Sequence, residues 1–136
     1  MRQSFKKEER LKSSKVIGQL FASGHSYVQY PFKVNWIPAG KRGKFPARVL
    51  ISVSKKHFRK ASERNHIKRL CREAYRKEKH LLYEFLDSKG MTCHFSMVYI
   101  GKSAEEYSSI HQKIFTLLER LISELEVYNH QNSTSS

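Results

Sequence analysis

One stretch of the sequence, residues 64–77, constrains the fold most because it has the pattern of a helix with two unlike faces. With about 100° of rotation per residue, apolar side chains fall within about 60° of Ile67. They are Leu70, Cys71, Ala74, Leu81 and Phe85. The opposite side carries Asn65, Lys68, Arg69, Arg72, Arg76 and Lys79, with Arg64 at the edge between the faces. The pattern predicts a helix that buries one face in a core and presents positive charges on the other.

The positive charge of the chain is concentrated around this helix. The protein has 26 Lys+Arg against 12 Asp+Glu, a formal net charge of +14. Residues 55–79 hold 11 basic and 3 acidic residues and therefore carry +8 of that total. An ordered array of cations suits the phosphates of a nucleic acid, and guanidinium groups can bond a phosphate bidentately. The clustering favours a polyanionic partner over a merely soluble basic protein.

The rest of the sequence predicts one small α+β domain. We expect a single nucleic-acid-binding domain over residues 1–128, loosely ordered at 1–12, and a disordered polar tail over 129–136. Ser13 is predicted to cap a first helix that ends at Gly24. Alternation of apolar and polar residues predicts strands around 32–36 and 49–53, and a further strand at about 93–100.

The two later helices also have sequence signals. Ser62 is a candidate cap for the basic helix, and Ser103 with Glu106 has the spacing of a capping box before the last helix. The last helix shows an apolar stripe at helical spacing, made by Tyr107, Ile110, Ile114, Leu117, Leu118, Leu121 and Leu125. The predicted order is α-β-β-α-β-α, with helices packed on a small sheet.

No sequence motif of a protein-borne catalytic or metal site is visible. None of the seven histidines has ligand spacing to another histidine, cysteine or carboxylate. Cys71 and Cys93 lie in apolar patterns and are expected to be buried, reduced thiols of a cytoplasmic protein. The apolar runs are too short for a membrane span, so no membrane association is expected. Three kinds of protein stay open as alternatives: a non-catalytic RNA-binding protein of an assembly such as the ribosome, a nuclease that acts unaided, and a duplex-DNA binder.

The chain resembles the protein subunit of bacterial ribonuclease P. The resemblance covers most of the chain and is most specific in the basic helix. It is carried by Arg10-Leu11-Lys12, Ile17, Phe21 and Gly24, by Ser52-Val53-Ser54-Lys55-Lys56, and by Arg64-Asn65, Ile67-Lys68-Arg69-Leu70 and Arg72-Glu73.

The resemblance implies a fold, a partner and a set of site residues. The implied fold is an α-β-β-β-α-β-α sandwich on a small mixed sheet, with one more strand than the pattern shows and a left-handed βαβ crossover. The implied catalyst is the partner RNA, which removes the 5′ leader of precursor tRNA with Mg²⁺ bound mainly through that RNA. We expect no catalytic residue in this chain, and a monomer in a one-to-one complex with the RNA. The expected RNA-binding residues are Lys55, Lys56, Arg64, Asn65, Lys68, Arg69, Arg72 and Arg76, and the expected leader cleft contains Ile17, Phe21 and Phe32.

Three positions depart from the family pattern. His66 stands where the family usually has a third basic residue, so this contact depends on the protonation of the imidazole. Ile17 replaces a frequent phenylalanine and removes one stacking surface from the cleft. Asn35 stands where a tyrosine is common. We expect Phe21 to be the main stacking residue on the first helix, unless it is part of the core.

Overall fold

The computed structural model describes residues 4–40 and 43–133. After a short 3₁₀ turn at Lys7–Glu9, the elements are α1 (Ser14–Ser23), β1 (His25–Gln29), β2 (Phe32–Pro38), β3 (Ala47–Val53), α2 (Ala61–Lys89), β4 (Cys93–Tyr99) and α3 (Tyr107–Ser133). This order confirms the α-β-β-β-α-β-α sandwich. The strand that alternation did not reveal is β1, whose sequence His-Ser-Tyr-Val-Gln is mostly polar. No helix of the described residues has the length and apolar character needed to cross a membrane.

The four strands form one mixed sheet in the order β1-β2-β4-β3. The pairs β1–β2 and β2–β4 are antiparallel, whereas β3 and β4 are parallel and are connected by α2. This β3–α2–β4 unit is the one for which the resemblance implies a left-handed crossover, and the handedness stays a prediction.

One face of the sheet is covered by α2 and α3. The ring of Tyr75 on α2 packs against Phe95 on β4 at 5.9 Å between centroids. From the sheet to α3, the Tyr27 hydroxyl donates to the Leu117 carbonyl at 2.8 Å, and Trp36 Nε1 donates to a carboxylate of that helix. Both predicted apolar stripes contribute to this core, which includes Ile67, Cys71, Ala74, Leu82, Leu86, Ile110, Ile114, Leu117, Leu118, Leu121 and Leu125.

The helix ends confirm two of the predicted signals and correct two others. The Ser13 side chain accepts from the Val16 N–H at 3.3 Å, and α1 ends at Gly24. A Cβ at Gly24 would lie 2.3 Å from the Leu20 carbonyl oxygen, so only glycine fits there. Ser62 is not the cap of α2, because the helix begins at Ala61. The capping box at Ser103 is also wrong, because α3 begins four residues later.

Residues 4–12 and 129–133, near the two ends of the described chain, belong to defined structure. In the first segment Leu11 is buried, and its N–H donates to the Val49 carbonyl at 2.9 Å. The prediction of loose order is therefore wrong for residues 4–12. The predicted tail is wrong for residues 129–133, since α3 continues through them. Tyr128 anchors this end, with its ring 5.8 Å from those of His25 and Trp36. Residues 1–3 and 134–136 lie outside the described part.

Candidate nucleic-acid interface

The exposed side of α2 carries the predicted row of polar and basic side chains. Asn65 and Arg69 are exposed, and Lys68, Arg72 and Arg76 are partly exposed. Ile67, Cys71 and Ala74 on the other side are buried with at most 1 % exposure. We call the five residues Asn65, Lys68, Arg69, Arg72 and Arg76 the basic helix face. Because the core fixes the rotation of α2, these groups are presented as an array at helical spacing.

The two lysines before the helix lie at its N-terminal end. Lys55 and Lys56 are exposed in the turn that follows β3. Residues 57–60 connect this turn to α2, and hydrogen bonds from Arg64 link these connecting residues to the helix. Its Nη1 donates to the carbonyl oxygens of Phe58 at 2.7 Å and Arg59 at 2.8 Å. Arg64 therefore uses part of its donor capacity to shape the loop that carries the lysines.

Two arginines of the basic helix face are oriented by neighbours one turn away. Arg76 forms a bidentate pair with Glu73, with distances of 3.1 Å and 2.6 Å. The hydrogen bond from Arg76 lowers the pKa of Glu73, and that bond raises the pKa of Arg76. Arg69 Nη2 lies 3.3 Å from Nδ1 of His66, which is itself exposed. Position 66 therefore borders the same surface, as its place in the basic motif predicts.

Lys79 does not belong to the basic face, although the helical projection placed it there. Its side chain is only 10 % exposed and is paired with Glu9, whose side chain is fully buried. Lys79 also donates to the Ser4 carbonyl, and the Tyr83 hydroxyl donates to Glu9 at 2.5 Å. The segment before α1 thus covers this part of α2. A contact between residues 70 positions apart leaves no signal in the helical period.

The second face of the sheet is partly open. Lys33, Arg48, Leu50, Ser52 and Val98 alternate with core residues along β2, β3 and β4, and all are at least partly exposed. We call these five residues the open face. Its two cations were missed by the sequence analysis, although strand alternation would have placed them opposite the core.

His94 lies beside this open face. It pairs with Arg48 in the β3–β4 register. Burial, and then the charge of Arg48, lower the pKa of His94. Its Nδ1 is buried and has no hydrogen-bond partner among the described residues. Both effects favour the neutral form of the imidazole, which lies next to a cation.

The three predicted cleft residues have different environments. Phe21 on α1 is 49 % exposed and Ile17 is partly exposed, so both can meet a ligand. Phe32 is fully buried, with its ring edge-on to Tyr99 at 5.5 Å. Its assignment to the cleft is therefore wrong, because it points to the core side of β2. Asn35 is also buried, so it offers no replacement for an exposed tyrosine.

The described residues offer no metal cage. No group of three or more histidine, cysteine, aspartate or glutamate side chains comes together there in a way that could hold an ion. Both cysteines are buried and unpaired, and burial raises the pKa of each thiol to about 12. Neither thiol is activated as a nucleophile or as a metal ligand.

Together, the α+β sandwich, the basic helix face and the open face are features of a protein that binds a nucleic acid. Comparison with known proteins gives the family. The family profile described as Ribonuclease P matches residues 5–122. The chain belongs to the ribonuclease P protein family, and it is thus part of the holoenzyme that processes the 5′ ends of tRNA.

Individual relatives agree with this assignment. The Ribonuclease P protein component of Chlorobium phaeobacteroides is 35 % identical over 133 residues, covering 90 % of this chain and 91 % of the relative. That of Porphyromonas gingivalis is 31 % identical over 115 residues, covering 85 % and 84 %. The solved RNase P protein of Thermotoga maritima shares the fold with a TM-score of 0.63 at 24 % identity, covering 82 % of this chain and 96 % of that one. Nothing among these relatives favours a ribosomal protein.

Proposed function

We propose that this protein binds ribonuclease P RNA through the basic helix face and holds the 5′ leader of precursor tRNA against the open face beside α1. The observation that carries the proposal is the basic helix face itself. Its cations are fixed by the buried side of α2, as an array that matches repeated phosphates. Lys55 and Lys56 extend the array at the N-terminal end of the helix.

The proposed leader site combines an aromatic side chain with cations. Phe21 offers an exposed ring for stacking on an unpaired base. Lys33 and Arg48 lie on the open face and can follow the phosphates of a single strand. Single strands are recognised by this combination of stacking and charge, which tolerates different base sequences. Such tolerance suits an enzyme that acts on many precursor tRNAs.

Within this proposal the chemistry belongs to the RNA, and Mg²⁺ is held mainly by the RNA. Two carboxylates near the basic helix face are used in ion pairs, Glu73 with Arg76 and Glu9 with Lys79. The chain contributes positive charge that screens repulsion between RNA phosphates, which otherwise requires more Mg²⁺. We further propose that one protein binds one RNA, in the cytoplasm, where buried free thiols such as Cys71 and Cys93 stay reduced.

Reconstitution tests the proposed function. Precursor tRNA is incubated with ribonuclease P RNA from the same organism, with and without the protein, over a series of Mg²⁺ concentrations. We expect the protein to lower the Mg²⁺ needed for cleavage and the RNA-free protein to cleave nothing. As a matched control, Lys89→Ala removes an exposed charge from the far end of α2 and should behave like the wild type. Cleavage by protein that is demonstrably free of RNA would refute the proposal in favour of an unaided nuclease.

A further inference from the structure

A small cavity lies where the segment before α1, the strand β3 and the middle of α2 meet. Three cations line it, Arg10, Lys12 and Arg72, together with Leu11 and Leu50. Leu50 belongs to the open face, whereas Arg72 belongs to the basic helix face. The cavity therefore lies at the junction of the two surfaces that we propose for RNA.

The fold keeps Arg10 next to Arg72. Arg10 forms a parallel bridge with Val49, and the following N–H, that of Leu11, donates to the Val49 carbonyl at 2.9 Å. The preceding residue, Glu9, is buried and held by Lys79 and Tyr83. The Arg10 guanidinium itself lies over the ring of Phe5, 5.2 Å from its centroid. Contacts on both sides of position 10 thus hold this charge in place.

This arrangement brings the guanidinium groups of Arg10 and Arg72 together at one cavity. Burial, and then the charge of Arg10, lower the pKa of Arg72. No described carboxylate forms an ion pair with either guanidinium, and neither guanidinium donates a hydrogen bond to a described residue. Two other arginines of the region, Arg64 and Arg76, have such partners. An anion in the cavity would remove the repulsion and complete the hydrogen bonds of both groups.

We propose that Arg10 and Arg72 together bind one phosphate group of an RNA. The inference rests on the proposed function for the source of that phosphate. A phosphodiester has one negative charge and two free oxygens, and each oxygen can accept from a guanidinium fork. The phosphate belongs either to ribonuclease P RNA or to the 5′ leader, because the cavity borders both surfaces.

The salt dependence of binding tests whether the two arginines share a phosphate. Each neutralised phosphate contributes roughly 0.7–0.9 to the slope of log affinity against log salt. Arg10→Ala/Arg72→Ala should therefore flatten the slope by about 0.7–0.9, the value for one phosphate. The comparison variant, Lys68→Ala/Arg69→Ala, removes the same charge from two positions on the basic helix face that do not share a phosphate, and should flatten it by about 1.4–1.8. A loss of about 1.4–1.8 for the first pair would show two separate phosphates and would overturn the shared site.

Two binding measurements distinguish the sources of the phosphate. The first is the affinity of the protein for ribonuclease P RNA alone. The second is the affinity of the assembled enzyme for precursor tRNA compared with leaderless tRNA. A loss confined to the first assigns the phosphate to the RNA subunit, and a loss confined to the leader-bearing substrate assigns it to the leader. Unchanged slopes in both, with folded variants by circular dichroism, would refute the site while leaving the proposed function intact.

Inorganic phosphate tests the site without any RNA. Phosphate that binds the native state raises its melting temperature, relative to chloride at the same ionic strength. We expect this shift in the wild type and in Lys89→Ala, which lies outside the basic helix face, and its loss in Arg10→Ala/Arg72→Ala. An equal shift in all three proteins would place the bound phosphate elsewhere and overturn the site. If the wild type failed to bind the RNA, the proposed function would be refuted. The phosphate measurement would still show whether Arg10 and Arg72 bind a phosphate.

Discussion

Phe21 and Phe32 were both predicted to line the leader cleft, and the structure gives them opposite environments. Phe21 is 49 % exposed, whereas Phe32 is fully buried. Replacing Phe32 with alanine leaves a cavity and should cost about 3–5 kcal/mol of unfolding free energy. With an unfolding entropy of about 2.1 cal/mol/K per residue, a chain of this length should lose about 10–17 °C in Tm. Phe21→Ala removes a half-exposed ring and leaves no closed cavity, so we expect a loss of only about 1 kcal/mol.

The effect on binding should be the reverse. Stacking of one base on an aromatic side chain contributes about 1–3 kcal/mol, or roughly 5- to 150-fold in affinity. Phe21→Ala should therefore weaken binding of leader-bearing tRNA by the assembled enzyme by that factor and leave binding of mature tRNA nearly unchanged. Ile17→Phe should strengthen leader binding, because position 17 is on the same helix and partly exposed.

Thermal unfolding and the two tRNA affinities, measured on the same preparations, decide between these effects. Leu20→Ala is the matched control on α1, since its side chain is fully buried next to Phe21. It should lower stability by about 2–5 kcal/mol without a leader-specific loss in the fraction that is folded. If Phe21→Ala behaved like Leu20→Ala, the assignment of Phe21 to stacking would be refuted.

Three further predictions concern the ion pair, the basic face and the thiols. Lys79→Met should destabilise the protein by about 3–5 kcal/mol in urea unfolding, because Glu9 is left buried without its partner. Adding Glu9→Gln should restore part of this loss. Equal stability of Lys79→Met and the wild type would contradict the prediction. His66→Arg should steepen the salt dependence of RNA binding by roughly 0.7–0.9, and an unchanged slope would place position 66 outside the interface. Burial raises the pKa of Cys71 and Cys93 to about 12, so the unfolded thiols ionise first and stability should fall as the pH rises from about 9 towards 12. Cys71→Ala/Cys93→Ala should reduce this alkaline loss in urea titrations, and an identical pH profile would count against it.

The sequence alone determined the features that depend on local order along the chain. The helical period separated the buried from the exposed side of α2, since 3.6 residues per turn place Ile67, Cys71 and Ala74 on one side whatever lies beyond them. Ser13 and Gly24 fixed the ends of α1 for equally local reasons, a side-chain cap and a position that leaves no room for a Cβ. The strand β1 was not predicted from the sequence, because an edge strand with mostly polar residues has almost no apolar alternation.

The tertiary structure decided which of the candidate side chains reach the surface. Lys79 has the period of the basic face, but the segment around Glu9 folds over it. Phe32 has the composition of a stacking platform, but the register with Tyr99 directs it into the core. Arg10 belongs to a motif that carries the family resemblance, but only its bridge to Val49 shows that it lies at the same cavity as Arg72. Each of these outcomes depends on contacts between residues far apart in the chain, and local periodicity contains no information about which distant segment will cover a given face.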